Sequence, residues 1–368
     1  MSYSVSEHRE RASHLLRAGS WILCAALLSY LAPPLKAADP PQALIEAAKK
    51  ESKLVYWGTD AETAPKIVKE FEQKYPFMRG NIEFWDANSN EVVERVVTEA
   101  KAGRFSPDFI SMSEDWYNRL KEADLLMKHE WSNVQGWRTD VQPDHKLWAN
   151  VSIDPRPGYY NHEVLKEADA PKSLEGLINP KYKGMSALSA ASEEFPFIYA
   201  YFWRQGNKLA WEKSFDFFQR LVKTTEPQIV DGYTGPTRLL AAGEFGLFHI
   251  GLFSRAYQML NKGAPISLVP LDPMYGSVRA FAILKNAPHP NAAKLYAHWI
   301  TTSEGSVTYA NLLGKFPYDP SAANSKPVKV AKKNGITRAM LHRIPTEAWT
   351  KADTDKSAQF FYKLIKFK

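Results

Sequence analysis

Polar side chains recur where the sequence predicts that strands of an α/β fold end or helices begin. For any single group, helix capping or turn formation is the simpler explanation. In open α/β sheets, however, ligands bind beyond the carboxyl ends of the strands, and the free N–H groups of helix N-termini suit anions. The repetition therefore predicts a shared ligand cleft. Its candidate residues are Thr59 and Asp60; Ser113, Glu114 and Asp115; Ser189 and Ser192; Tyr233 and Thr234; and Ser254, Arg255 and Tyr257.

Motifs of catalytic machinery are missing from the sequence. No two histidines have the helical spacing of metal ligands, and there is neither a Gly-x-Ser-x-Gly elbow nor a phosphate loop. The chain is therefore predicted not to be an enzyme and to need no cofactor. A secreted hydrolase is the alternative of another class, and it would require a nucleophile–base pair that the sequence does not reveal.

Alternating strand and helix patterns position these candidates. Apolar runs at 53–57, 81–85 and 108–112 predict strands, with amphipathic helices between them. Asn88 and its polar neighbours can cap the second of these helices. The resulting βαβαβ order implies a parallel sheet with helices on its faces.

The same alternation resumes in the second half of the chain. Strands are predicted at 184–188, 228–230, 245–253, 266–270 and 278–284, and helices at 209–222 and 292–300. Clusters of Gly and Pro at 154–158 and 263–265 are suitable places for the chain to cross between lobes. Two lobes are expected because about 330 residues exceed what one core usually supports.

The N-terminal segment 1–38 has the order of a secretory signal peptide. Three arginines precede an apolar run at 20–32, and Ala37 and Ala38 offer small residues for cleavage. The run is about a dozen residues long, whereas roughly 20 are needed to span a bilayer. Cys24, the only cysteine, lies in this segment, so disulfides and cysteine nucleophiles are not expected in the mature protein. We expect a periplasmic protein whose signal peptide is cleaved.

The chain carries a formal net charge of +7 that is spread along its length. The basic residues form no nucleic-acid patch, so no nucleic-acid partner is expected. The mild excess suits anionic small molecules slightly better than cations.

Several motifs occur in the order in which one protein family carries them. They are Gly158-Tyr159-Tyr160-Asn161, APKSLEGL at 170–177, NPKYKG at 179–184, Ala241-Ala242-Gly243-Glu244 and APHPNAAK at 287–294. Together they resemble the extracellular solute-binding proteins of bacterial ABC transporters (family 1), most of all their ferric-iron/organic-anion branch. The resemblance covers most of the chain after the signal segment.

The resemblance implies a type II periplasmic-binding-protein fold, in which two α/β lobes joined by a hinge close on a ligand in the interlobe cleft. The N-terminal lobe is expected at 39–150 and 266–325, and the C-terminal lobe at 151–265 and 326–368. The closed form is expected to dock on an ABC transporter permease in the inner membrane. We expect the protein to be a monomer.

Within this family the leading ligand is a small organic anion, such as a carboxylate, phosphonate or sulfonate. The candidate charge partners are Arg156, Arg255 and Arg279. The candidates for packing the body of the ligand are Trp57, Trp116 and Tyr275.

A ferric ion or ferric complex is the alternative that the resemblance implies. Ferric-binding members use a histidine in the first loop, a Glu-Gln pair after the third strand and two adjacent tyrosines. At these positions the chain has Asp60, Glu114-Asp115 and Ala256-Tyr257. Only part of the iron-binding oxygen set is thus present, as Asp60, Glu114 and Tyr257. The organic anion is therefore ranked first.

Overall fold

The computed structural model describes residues 39–59, 63–131, 142–143, 145–318 and 323–366. The predicted signal segment and its cleavage site lie outside the described residues, as does Asp60. Within the described ranges, no helix is both long and apolar enough to cross a membrane.

Strands and helices alternate along most of the chain. The strands are β1 (Leu54–Gly58), β2 (Ile82–Asp86), β3 (Phe109–Ser113), β4 (Ala149–Pro155), β5 (Gly158–Asn161), β6 (Ser186–Ser189), β7 (Gln228–Val230), β8 (Leu247–Phe248), β9 (Ile266–Val269), β10 (Met274–Ile283), β11 (Phe316–Pro317) and β12 (Leu341–His342). The helices are α1 (Gln42–Glu51), α2 (Ala64–Lys74), α3 (Ser89–Lys101), α4 (Tyr117–Glu122), α5 (Phe195–Phe202), α6 (Trp211–Thr225), α7 (Thr234–Ala241), α8 (Phe253–Leu260), α9 (Pro290–Ile300), α10 (Ser303–Leu313), α11 (Lys326–Lys333) and α12 (Lys351–Lys366).

The first sheet has seven strands in the order β11-β4-β10-β3-β1-β2, with β12 pairing beside β10. β1, β2 and β3 are parallel, as the βαβαβ pattern predicts, whereas β10 runs antiparallel to β3 and β4. Asn88 begins α3 with a reciprocal capping box to Glu91, which confirms its predicted role. One face of the sheet packs on α1, α2, α9 and α10, and the other on α3 and α4.

The second sheet has five strands in the order β7-β6-β8-β5-β9. β6 is parallel to β7 and β8, while β5 is antiparallel to β8 and β9. One core cluster packs α5, α6 and α12 on this sheet. Another combines α7 and α8 with side chains of both sheets, including Ile153, Tyr159 and Val278. The α/β class predicted from the sequence is confirmed.

The chain crosses between the sheets at one of the two predicted glycine and proline clusters and after the other. β4 ends at Pro155 and β5 begins at Gly158, so the first crossing lies within the predicted cluster 154–158. β9 still pairs with β5, and the return crossing therefore lies between Val269 and Met274. The cluster 263–265 is instead the turn after α8, where Gly263 adopts a left-handed φ of 79°. The first sheet thus resumes at β10 and not at residue 266.

One predicted strand is largely wrong. The run 245–253 contains only the two residues of β8, and Phe253 begins α8. The run is apolar throughout, and such a run does not distinguish a buried strand from a buried helix start. Ser254 and Arg255 consequently stand in the first turn of a helix.

Candidate functional site

A cavity of about 220 Å³ lies where elements of the two sheets meet. The first sheet contributes the end of β3 and part of β10, and the second contributes the starts of α7 and α8. The sequence-predicted residues that line it are Ser113, Asp115, Trp116, Arg156, Tyr233, Ser254, Arg255, Tyr275 and Arg279. The cavity is also lined by Asp154, Ala191, Glu194, Leu252, Ser277, Val278 and Lys315, which the sequence analysis did not select.

The first turn of α8 is anchored to the end of β4. Asp154 accepts hydrogen bonds from the Ser254 N–H at 3.0 Å and from the Ser254 hydroxyl at 2.6 Å, and both residues are buried. A carboxylate at a helix start is favourable because it satisfies a free N–H group and faces the positive end of the helix dipole. This contact fixes the position of Arg255, the next residue, in the cavity wall.

Arg255 has an unsatisfied donor. Its Nε is buried and has no hydrogen-bond partner among the described residues. Its guanidinium also makes no ion pair with an acidic side chain in the described part of the chain. A buried cationic N–H group without an acceptor is costly, and an anionic ligand would remove that cost.

The charge of Arg156 is compensated within the protein, although its buried Nε, like that of Arg255, has no hydrogen-bond partner among the described residues. It is 6 % exposed, and its Nη2 lies 3.3 Å from Oε1 of Glu194. The same guanidinium donates to the Tyr233 hydroxyl and lies 4.4 Å from the centroid of the Tyr233 ring. Burial raises the pKa of Glu194 to about 7; the charge of Arg156 opposes this rise, and that of Asp115 adds to it. Arg156 and Glu194 therefore form a paired section of the wall.

Arg279 is held by the first sheet. It lies opposite Ser113 in the antiparallel register of β10 and β3, and its guanidinium donates to the Thr59 hydroxyl. Burial raises the pKa of Asp115, while the hydrogen bond with Ser113 and the charge of Arg279 oppose that rise. Thr59 thus positions Arg279 without itself lining the cavity.

Lys315 is a further cation of the wall, and it comes from the segment between α10 and β11. It is 4 % exposed, and its Nζ lies 6.0 Å from the centroid of the Tyr309 ring. The charged side chains that line the cavity are the cations Arg156, Arg255, Arg279 and Lys315 and the acids Asp115, Asp154 and Glu194. Because Asp154 and Glu194 already have partners, the wall favours a ligand with negative charge.

Two predicted serines do not line the cavity but make hydrogen bonds with residues that do. The Ser189 hydroxyl donates to the Gly232 carbonyl at 2.8 Å and accepts from the Ala191 N–H at 3.1 Å. The Ser192 hydroxyl lies 3.1 Å from the Tyr233 hydroxyl, which itself donates to the Ala191 carbonyl at 2.6 Å. These bonds orient Tyr233 toward Arg156, so both serines position lining residues.

Other predicted residues lie outside the cavity. Glu114 is buried on the other side of its turn, where it accepts from Asn150 at 2.8 Å and pairs with Arg343 at 3.1 Å. Tyr257, a residue of α8, is 3 % exposed and packs in the core cluster that combines α7 and α8. Trp57 packs in the core, and the guanidinium of Arg95 lies 4.4 Å from the centroid of the Trp57 ring. Thr234 is the first residue of α7 and does not line the cavity.

The residues proposed for iron are not gathered in the cavity. Glu114 and Tyr257 both lie outside it, and Asp60 is outside the described residues. Over the described ranges, no three His, Cys, Asp or Glu side chains are grouped so that they could hold a metal ion.

Two lining residues that sequence reasoning missed carry recognisable signals. Glu194 belongs to the run Ser-Glu-Glu-Phe-Pro, an acidic stretch directly before a proline-started helix. Lys315 follows Gly314, whose left-handed φ of 75° ends α10. Glu194 lies in the same loop as the selected Ser189 and Ser192 but two residues further from the strand, and Lys315 follows a helix, so the strand-end criterion selected neither.

Comparison with known proteins gives a consistent result. Residues 66–336 match the family of bacterial extracellular solute-binding proteins. An Fe(3+)-binding periplasmic protein of Serratia marcescens is 26% identical over 177 residues, which cover 45% of this chain and 49% of that protein. The chain therefore spans about half the length of this curated relative.

Solved structures share the fold at low sequence identity. A substrate-binding protein of an ABC transporter from Agrobacterium tumefaciens has a TM-score of 0.70 and 14% identity, covering 85% of this chain and 95% of that chain. Iron-bound HitA from Pseudomonas aeruginosa has a TM-score of 0.65 and 17% identity over 85% and 99% of the two chains. AfuA from Actinobacillus pleuropneumoniae, with fructose-6-phosphate bound, has a TM-score of 0.60 and 20% identity over 85% and 96%.

These neighbours are two-lobed periplasmic binding proteins, and the predicted two-lobed fold class is thereby confirmed. The family match extends over most of the described chain and includes all residues that line the cavity. The protein belongs to the family of bacterial extracellular solute-binding proteins.

Proposed function

We propose that this protein captures a small organic anion in the periplasm and delivers it to the permease of an ABC uptake transporter in the inner membrane. It is exported by the signal segment 1–38, which is cleaved near Ala37 or Ala38. The protein acts as a monomer, and its two lobes close on the ligand. Catalysis is not part of this proposal, in which the groups of the cavity wall serve to bind the ligand.

The observation that carries the proposal is the state of Arg255. This residue lines the cavity, yet its buried Nε lacks a hydrogen-bond partner among the described residues. Arg156, by comparison, is already engaged by Glu194 and Tyr233. The Nε of Arg156 also lacks a partner, but Arg255 has neither an ion pair nor a side-chain hydrogen bond among the described residues, so an anionic oxygen would supply its first acceptor.

One of the relatives supports an anionic ligand, and two support iron. AfuA was solved with fructose-6-phosphate, whose phosphate is an anion. HitA and the Serratia relative bind iron, which favours a ferric ion or ferric complex as the second candidate. Glu114 and Tyr257 lie outside the cavity of this chain, so we place the organic anion first.

A thermal-shift screen of carboxylates, phosphate esters and sulfonates, followed by titration calorimetry, tests the proposal. We expect a hit whose affinity falls at least about 30-fold in Arg255→Gln, because removing one partner of a buried charged contact costs about 2–5 kcal/mol. Arg255→Lys should keep part of the affinity. Arg220→Gln, which breaks an exposed contact with Glu175, serves as the matched control and should bind normally.

Two results would contradict the proposal. One is a stoichiometric, coloured ferric complex without any organic hit. The other is an organic anion whose affinity is the same in wild type and Arg255→Gln.

A further inference from the structure

A section of the cavity wall beside Arg156 presents acceptors and aromatic rings. Asp115 and Trp116 follow β3, Glu194 precedes α5, and Tyr275 is the second residue of β10. All four line the same cavity as Arg255. The wall therefore contains two different chemical environments.

The Tyr275 hydroxyl is unsatisfied at this section. Tyr275 is 6 % exposed and lines the cavity, but its hydroxyl makes no hydrogen bond within the described residues. Burial raises the pKa of Tyr275 well above its ordinary value, and the charges of Glu194 and Asp115 add to the rise. The hydroxyl therefore stays protonated and neutral, with its oxygen free to accept a hydrogen bond.

The two carboxylates disfavour a second anionic group here. The charge of Asp115 contributes to the raised pKa of Glu194, so the two acids repel one another. Arg156 offsets part of the Glu194 charge at 3.3 Å but also serves Tyr233. A cationic donor from the ligand would relieve this repulsion.

We infer that the ligand carries an ammonium group as well as its anionic group, and that Asp115, Glu194 and the Tyr275 hydroxyl receive the ammonium. An ammonium has three N–H donors and no acceptor, which matches two carboxylates and one phenol oxygen. The faces of Trp116 and Tyr275 add attraction for a cation. A ligand hydroxyl has only one donor and could donate to only one of the two carboxylates. The inference rests on the proposed function, which supplies the anion site at Arg255.

Matched probes separate the two groups. Each set consists of a plain carboxylic acid, its ω-hydroxy acid and its ω-amino acid, for chains of three to six carbons. The cavity volume corresponds to about seven waters at roughly 30 Å³ each, so such probes are of suitable size. At the best chain length, we expect calorimetry to show the amino acid binding at least about tenfold more tightly than either of the others.

Variants identify the residues responsible. Asp115→Asn, Glu194→Gln and Tyr275→Phe should each reduce the ratio of the affinity for the amino acid to the affinity for the plain acid of the same chain length. Tyr275→Phe removes a single oxygen, so it keeps the test valid if a carboxylate variant folds poorly. Glu193→Gln changes the neighbouring acid, which does not line the cavity, and should keep the full preference.

The outcomes distinguish failure of the inference from failure of the proposed function. If plain acids bind through Arg255 and the amine adds nothing at any chain length, the ammonium site is wrong and the anion site stands. Preference for the hydroxy acid would likewise overturn the ammonium assignment. If no probe of any set binds, the ammonium assignment is contradicted, and the separate screen of carboxylates, phosphate esters and sulfonates decides the proposed organic-anion function.

Discussion

Removing Arg343 should destabilise the protein in a strongly pH-dependent way. Arg343 follows β12, in the segment between β12 and α12, and its Nη1 lies 3.1 and 3.2 Å from the two carboxylate oxygens of Glu114. Glu114 is 5 % exposed, and its carboxylate also accepts a hydrogen bond from Asn150 at 2.8 Å and makes one with the side chain of Thr346. Arg343→Met therefore leaves a buried carboxylate with much weaker compensation.

The expected magnitude follows from this geometry. Two unit charges about 4 Å apart interact by about 4 kcal/mol at an effective dielectric constant of 20. Loss of one partner of a buried pair costs about 3–5 kcal/mol, and the partial exposure of Arg343 reduces this to about 2–4 kcal/mol. With about 2.1 cal/mol/K of unfolding entropy per residue over about 330 residues, the melting temperature should fall by about 3–6 °C at pH 8.

The sign of the pH dependence is fixed by Glu114. Burial raises its pKa, and Arg343 opposes that rise. In Arg343→Met the pKa of Glu114 in the folded protein rises further. Above the ordinary pKa of a glutamate, the folded protein therefore keeps a proton on Glu114 that the unfolded chain has released. Stability of the variant must therefore fall more steeply than that of wild type from pH 5 to pH 8.

Thermal and urea unfolding at pH 5 and pH 8 measure this effect. Arg343→Lys, which keeps a charge, should lose less stability, and Glu114→Gln combined with Arg343→Met should recover part of the loss. Arg220→Met breaks an exposed pair and should change stability by no more than about 1 kcal/mol. A loss in Arg343→Met that is below about 0.5 kcal/mol, or that is equal at pH 5 and pH 8, would refute the reasoning.

Three further expectations concern the cavity and its surroundings. In urea unfolding, the stability of Glu194→Gln relative to wild type should increase as the pH rises from 5 to 8. The pKa of Glu194 is raised to about 7, so ionising the wild-type carboxylate destabilises the folded protein. A relative stability that decreases with pH would contradict this. Gly251→Ala should lower the melting temperature by about 2–4 °C, since its Cβ would lie 1.9 Å from Cε1 of Tyr159, whereas Gly235→Ala, with open space around it, should be neutral. Small-angle scattering should show the radius of gyration falling when the ligand is added, and tight binding without that change would exclude lobe closure.

The periodic parts of the fold were predictable from the sequence. β1, β2 and β3 were found because strand and helix patterns alternate clearly there, and Asn88 marked the start of α3. The apolar run at 245–253 failed because burial on all sides removes the periodicity that separates strand from helix. The return crossing was placed too early because Gly263 ends a helix before β9, which is a common use of glycine and not a sign of a hinge.

The cavity wall was predictable where residues follow strands, and less so elsewhere. Asp115 and Glu114 are adjacent in sequence, yet one lines the cavity and the other is buried against Arg343, because consecutive residues of the short turn after β3 face different ways. Lys315 joins the wall only through long-range packing of the segment after α10. Contacts of that kind depend on the assembled fold, and neither composition nor spacing contains them.

Native mass spectrometry of freshly purified protein tests the central claim most directly. Wild type and Arg255→Gln are prepared in parallel from the periplasmic fraction and sprayed from volatile buffer. We expect wild type to carry one small organic molecule, released as an anion on denaturation, and Arg255→Gln to be empty. A mass increase equal to a ferric ion, or the same organic molecule retained at full occupancy by Arg255→Gln, would contradict the account.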